Sequence, residues 1–223
     1  MGAAVILDIL GSTIIGSFLL LTLFRLNDTA TKNTYNFSGE LTLQENLVAT
    51  VEVLEYDFRK IGYCEDPVAL PHPESNSILY ADTGKIKFLT DLMVGTDYDE
   101  GDGIIDTIEY SVGDPDELPG TPNPYDKMLY RIVNGDPTGV NLGITYFKIR
   151  YFRDSLTANG STTLAEILPN ELPKIYTPGT PTGITAMQID IKVENTATYD
   201  VDHNPYRHAF WRQIRLSSRN IKR

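Results

Sequence analysis

The chain has one cysteine, Cys64, in 223 residues, so no disulfide can close within it. Cys64 reads as a small buried hydrophobe. Histidine is nearly as scarce. No spacing ties His72, His203 or His208 to Cys64. His203 and His208 stand five apart beside Tyr206 and Arg207 with no supporting acid motif, and read as loop and strand-end residues. No phosphate-binding glycine loop, paired zinc spacing or G-x-S-x-G string occurs. Positive charge is short as well. Nineteen Lys/Arg face thirty Asp/Glu, a net charge of −11, which argues against a nucleic-acid partner. Six of those cations, and no acid, fall in residues 207–223, so the first 206 residues carry −17. The basic end reads as a strand paired with acidic strands of its own domain or of a neighbouring subunit. No basic residue precedes the first apolar run and no A-x-A site follows it. Both absences speak against a cleaved secretory signal. No repeat of fixed period is present.

Apolar length is abundant instead. Ala3 to Phe24 reads AAVILDILGSTIIGSFLLLTLF, 22 residues in which Asp8 is the one charge. As a helix this run spans roughly 33 Å, close to the hydrocarbon core of a bilayer at about 30 Å. A retained membrane helix is expected, with Arg25 directly after it. A carboxylate inside such a run costs about 2.5–3.5 kcal/mol on insertion scales. It therefore lies near the interface, waits for a cationic partner, or takes up a proton.

Beyond this run, Asn27–Gly39 (NDTATKNTYNFSG) is rich in residues that favour turns, and reads as a melted or kinked linker. Leu43, Leu47, Val51, Leu54, Phe58 and Ile61 then recur every three or four positions, one apolar stripe on an amphipathic helix. Glu45, Glu52, Glu55, Asp57, Arg59 and Lys60 fall mostly off that stripe. Ser38 is placed to cap its start and Gly62 to end it. The pattern then changes to strands: Ser77–Ala81, Lys85–Thr90, Ile104–Val112, Lys127–Val133, Gly143–Arg153, Gly183–Glu194 and Ala209–Ser217. In the sixth, Thr185, Met187, Ile189, Ile191 and Val193 alternate with Ala186, Gln188, Asp190 and Lys192, the signature of a sheet with one buried face. The stretches 113–126 and 154–182 read as long surface loops. The thirteen tyrosines fit sheet packing. The expected fold class is α+β. A long N-terminal helix, one half membrane-spanning and one half amphipathic, packs on an antiparallel sheet. Residues 1–26 form the apolar helix, 27–62 the linker and amphipathic helix, and 63–223 a β-rich domain.

The order of elements is similar to that of type IV pilins and type II secretion pseudopilins. Several strings resemble the PilW-type minor pilins and the J-type pseudopilins. Gln44-Glu45-Asn46-Leu47 leads to Leu54-Glu55-Tyr56-Asp57-Phe58-Arg59-Lys60-Ile61-Gly62-Tyr63, which resembles that family's LERDLRRAGY helix end. Ile86-Lys87-Phe88, Asp106-Thr107-Ile108-Glu109-Tyr110 and Met128-Leu129-Tyr130-Arg131 follow in order. Ile189-Asp190-Ile191 precedes Ile214-Arg215-Leu216-Ser217-Ser218-Arg219-Asn220, like the family's closing arginine-asparagine strand. The resemblance implies a structural subunit acting by assembly, not an enzyme. Its helix would rest in the bacterial inner membrane, with its domain outside the cytoplasm, before helices bundle with those of other pilin-like subunits in a surface filament. It also implies an assembly role for Asp8, in place of the family's glutamate at the fifth mature position, which pairs with a neighbour's terminal amine. Cleavage between Ala3 and Ala4 would make Asp8 the fifth residue; counted from Met1 it lies nearly one helical turn further on. The family's GFTLIE string and basic leader are absent. The competing reading is a membrane-anchored extracytoplasmic binding domain that does not polymerise.

One further segment suggests a ligand. With Gly103 at the sixth position of a calcium loop, Glu100, Asp102, Asp106 and Glu109 fall at positions 3, 5, 9 and 12, and Asp97 or Asp99 supplies the first by a one-residue slip. Calcium bound by these six acids is one reading of this segment, and a solvated acidic turn between strands is the other.

Overall fold

A computed structural model describes residues 2–66, 68–70, 77–92, 101–121, 123–157, 159–176, 182–194 and 209–217. These fall into two units, 1–42 and 43–223, and one helix, α1 (Gly2–Arg59), contributes to both.

The first unit is helix throughout. None of its described residues is buried. The stretch 27–39, expected as a linker, is helical too. Its threonines do not break the helix because their hydroxyls donate back to carbonyls one turn earlier. Thr29 bonds Arg25, Thr31 bonds Asn27 and Thr34 bonds Ala30, all at 2.8–2.9 Å. An Asp28–Lys32 pair at 2.9 Å adds the i,i+4 support of an exposed helix face.

In the second unit, the predicted stripe of α1 is buried at every position: Leu43, Leu47, Val51, Leu54 and Phe58, joined by Ile61 just beyond the helix. Phe58 meets the rings of Phe88 and Tyr110 at centroid distances of 5.5 and 5.6 Å. Burying a side chain of this kind contributes about 1.5–3 kcal/mol. The helix ends where expected. Gly62 takes a φ of 71° and donates its N–H to the Leu89 carbonyl at 2.9 Å, while the Thr90 hydroxyl satisfies the Lys60 carbonyl at 2.9 Å.

The helix stripe packs on an antiparallel sheet. Its strands are β1 (Ile78–Ala81), β2 (Lys85–Thr90), β3 (Asp106–Val112), β4 (Lys127–Val133), β5 (Asp136–Leu156), β6 (Thr162–Ile167), β7 (Ala186–Glu194) and β8 (Ala209–Leu216). The order is β1-β2-β3-β4-β5-β7-β8, with β6 added on β5. The inner face carries Ile86, Phe88, Ile108, Tyr110, Leu129, Ile149, Tyr151, Met187, Ile189, Ile191, Ile214 and Leu216. An irregularity between Ile144 and Tyr146 inserts Thr145 and keeps both Ile144 and Ile149 inward. The α+β expectation is therefore met: a long N-terminal helix packed on an antiparallel sheet.

Three local differences have physical causes. β5 begins at Asp136 rather than Gly143, because Asn134 and Gly135, with φ of 52° and 90°, form a two-residue turn that pairs Val133 with Asp136. β6 lies inside the stretch read as loop. It forms by pairing with the end of β5, from Tyr151↔Ile167 to Leu156↔Thr162. In β7 the polar face is buried too, at Gln188, Asp190 and Glu194. Asp190 is held there by Arg150 of β5 at 2.9 Å and by Gln213 of β8 at 2.9 Å. The basic strand β8 thus pairs with β7, though Asp190 takes its cation from β5. Arg215 instead lies over the Phe152 ring, 4.7 Å from its centroid.

Candidate functional site

The apolar run and Asp8 lie within α1, a helix long and apolar enough to cross a membrane. Asp8 is exposed on it. Helical spacing puts Asp8 on one face with Gly11, Ser12, Ile15 and Gly16, so small residues flank the carboxylate on that face beside one large one. Ser12, Thr13, Ser17 and Thr22 each return their hydroxyl to an α1 carbonyl three or four residues earlier, at 2.7–3.0 Å. Beyond the first-turn amides, Asp8 is therefore the one polar side chain in the run that returns no hydrogen bond to the helix.

Of the six acids in the calcium reading, Asp97, Asp99 and Glu100 lie outside the described residues. Asp102 accepts the Ile104 N–H at 2.9 Å. Asp106 accepts the Leu92 N–H at 3.0 Å and the Asn134 amide at 2.6 Å. Glu109 sits on β3 against Lys85 at 2.6 Å, with Lys87 4.0 Å away. Among the described residues no three His, Cys, Asp or Glu side chains gather as a metal site.

The turn at 101–103 is organised around a different acid, Asp91. Its carboxylate is fully buried and accepts the N–H groups of Glu65, Asp102 and Gly103, each at 3.0 Å. The Cys64 thiol completes the shell at 3.6 Å. Burial pushes the Asp91 carboxyl up, but the three backbone donors outweigh it and hold it below the usual carboxylate range. Burial, with the Asp91 charge adding, pushes the Cys64 thiol up. The thiol is thus kept protonated, as a donor to a carboxylate. Two glycines make the turn possible. Gly103 adopts a φ of 76°, and a Cβ on Gly101 would lie 2.1 Å from the Asp91 carboxyl.

A third polar cluster seats α1 on the sheet. Asp57, off the apolar stripe in the sequence, is 1% exposed. It accepts Arg131 Nε at 2.7 Å, Arg131 Nη2 at 3.2 Å and the Tyr110 hydroxyl at 2.5 Å. Burial and the Asp57 charge raise the Tyr110 phenol far above its ordinary value, so it stays protonated and donates to Asp57. The hydrogen bond to Asp57 likewise keeps Arg131 firmly charged. Sequence reasoning missed this triad. The available signal was an acid beside Phe58 together with the Leu129-Tyr130-Arg131 string on a strand facing it. His72, His203 and His208 lie outside the described residues.

No family model matches the sequence, and no curated protein matches it. Among solved structures the chain is similar to a type IV-like pilin from Thermus thermophilus, with 12% identity, 81% of this chain and 98% of that chain covered, and a TM-score of 0.45.

Proposed function

We propose that this chain is a structural subunit of a type IV pilus-like or type II secretion-like filament, of the minor-pilin or pseudopilin kind, and that it acts by assembly rather than by catalysis. One observation carries the reading. A helix that seats its second half on a sheet, through the 43–61 stripe, begins with a nearly charge-free run of 22 residues, none of them buried, holding one carboxylate. In this reading the run rests in the bacterial inner membrane until neighbouring pilin-like subunits replace lipid around it. Asp8 then pairs with a cation from a neighbour, the terminal amine being the group of matching charge. Pairing removes the cost of about 2.5–3.5 kcal/mol that the carboxylate carries in lipid.

Asp8→Ala is expected to leave membrane insertion intact or improve it. It is also expected to lower the subunit's share of sheared filament material by about tenfold or more, since 1.4 kcal/mol is a factor of ten. Asp8→Glu keeps the charge and should keep incorporation. Quantitative mass spectrometry of sheared and membrane fractions reads both pools. Undiminished incorporation of the alanine variant would refute the role of Asp8. Absence of the wild-type chain from any filament fraction would favour the non-polymerising anchored domain.

A further inference from the structure

Between the loop entering β4 and the end of β7, Asn123 bonds to two acids, Asp126 and Glu194, that neither the fold nor the filament reading uses. Asp126 is 0% exposed, and neither of its carboxylate oxygens has a hydrogen-bond partner. Its own N–H donates to the Asn123 carbonyl at 3.3 Å. The Asn123 amide, 1% exposed, reaches Glu194 Oε2 across a long 3.4 Å. Glu194 is 5% exposed, and its other oxygen lies 2.5 Å from Lys192 Nζ. Among the described residues, the surroundings of Asp126 hold the Glu194 carboxylate compensated by Lys192, the Asn123 side chain and the Thr121 hydroxyl, which donates to the Leu118 carbonyl at 3.0 Å. A buried, unpaired carboxylate beside a second acid is among the costliest arrangements in a protein interior.

The geometry points to a hard divalent cation, of the calcium class, bound between Asp126 and Glu194 Oε2, with water completing its shell. Oxygen donors suit such an ion, and neither Asp126 oxygen is held in a hydrogen bond, although the Thr121 hydroxyl lies close enough to ease its charge. Lys192 occupies the far oxygen of Glu194 and leaves Oε2 facing Asn123. Burial pushes the Asp126 carboxyl up to about 6; the Thr121 hydroxyl opposes the rise and the Glu194 charge adds to it. With two protein carboxylates the dissociation constant should resemble that of weak extracellular sites, on the order of 10⁻⁴–10⁻³ M.

The test is thermal unfolding of the full chain in detergent micelles near pH 7.5, in chelator, then with calcium or magnesium. About 10 mM calcium should raise the wild-type Tm by about 3–10 °C, the shift given by a ligand at some 10 to 100 times its dissociation constant for a chain of this size. Asp126→Asn should be at least as stable as wild type in chelator and show no calcium shift. Glu194→Gln should show a reduced one, and Asp102→Asn, in the acidic turn, the full one. Either absence of a wild-type shift with both cations or a shift that survives Asp126→Asn would overturn the site. Loss of the shift in Asp102→Asn alone would also overturn it and assign the ion to the 97–109 segment. A wild-type protein stabilised by acidification through pH 6, but by neither cation, would likewise overturn it, showing that a proton fills the role.

Discussion

Asp57→Ala is expected to lower the unfolding free energy of the sheet domain by about 3 kcal/mol or more, the lower end of the 3–5 kcal/mol that follows from breaking a buried ion pair. The lower end applies because Arg131 is one-third exposed and regains water when its partner is lost, whereas Asp57 is almost wholly enclosed. Tyr110 does not share that escape. Its hydroxyl would be left without its acceptor in the core beneath Phe58, and an orphaned buried donor alone costs about 1–3 kcal/mol. For a chain of this length the loss corresponds to a fall in Tm of about 6–12 °C. Arg131→Met should cost less than Asp57→Ala. A double-mutant cycle between the two positions should return a coupling well above the 0.2–1 kcal/mol of exposed pairs. A loss below about 1 kcal/mol for Asp57→Ala would show that the triad does not hold the helix on the sheet.

Removing the Asp91 carboxylate should be of similar size. Asp91→Ala strands three backbone N–H groups, each worth about 1–3 kcal/mol when left unpaired, although neighbouring losses do not add in full. Gly101→Ala attacks the same contact from the other side, because its methyl would occupy the space of a carboxyl that four donors hold in place. Both variants should unfold earlier in urea with an unchanged slope, since the surface exposed on unfolding is the same. The pH dependence has a definite sign. The folded Asp91 carboxyl lies below its ordinary value of 3.8. Its contribution is therefore fully present above that pH and is lost as pH falls through the folded value. Wild type should lose stability on acidification below about pH 4, and Asp91→Asn should have lost that part of the acid limb already. An unchanged limb in the asparagine variant would disprove the assignment.

The elements legible in the sequence were those with a clean period. Leu43 to Ile61 announced a helix face because spacings of three and four leave no alternative use for six large apolar residues. Ile86/Phe88 and Met187 to Val193 announced strands by strict alternation. Where period was absent, the reading failed for identifiable reasons. Pro137 and Gly139 made the start of β5 look like loop, though Asn134-Gly135 was a sufficient hairpin signal. Gly139 is in fact covered by the Tyr130 ring, which lies too close to admit a Cβ. Thr162–Ile167 has no apolar alternation of its own and becomes a strand only because β5 offers it an edge. The turn-forming residues of 27–39 continue the helix, with the Thr29, Thr31 and Thr34 hydroxyls satisfied by carbonyls one turn earlier. At the candidate sites the limit was different. Asp57, Asp91 and Asp126 stand among thirty acids, and composition does not say which of them will be enclosed. Pairing a residue with a partner 53 or 74 positions away is the work of tertiary structure, as Asp57 with Tyr110 and Arg131 illustrates. The glycines at 101 and 103 were conspicuous, and the described turn shows them bending backbone around an internal carboxylate.

The hydroxyl groups along α1 have a consequence for the free energy of moving this helix between surroundings. Ser12, Thr13, Ser17 and Thr22 hold their own protons within the helix backbone. They therefore have no unmet hydrogen bond in hydrocarbon and none to surrender on leaving it. Each is also small enough for another helix to approach closely, and a turn of its χ1 angle would redirect the same proton outward. Among the polar side chains of the run this leaves the exchange of lipid for protein nearly isoenergetic, except at Asp8. In the filament reading proposed above, a single carboxylate would then be the polar side chain that weighs on the direction in which the helix partitions.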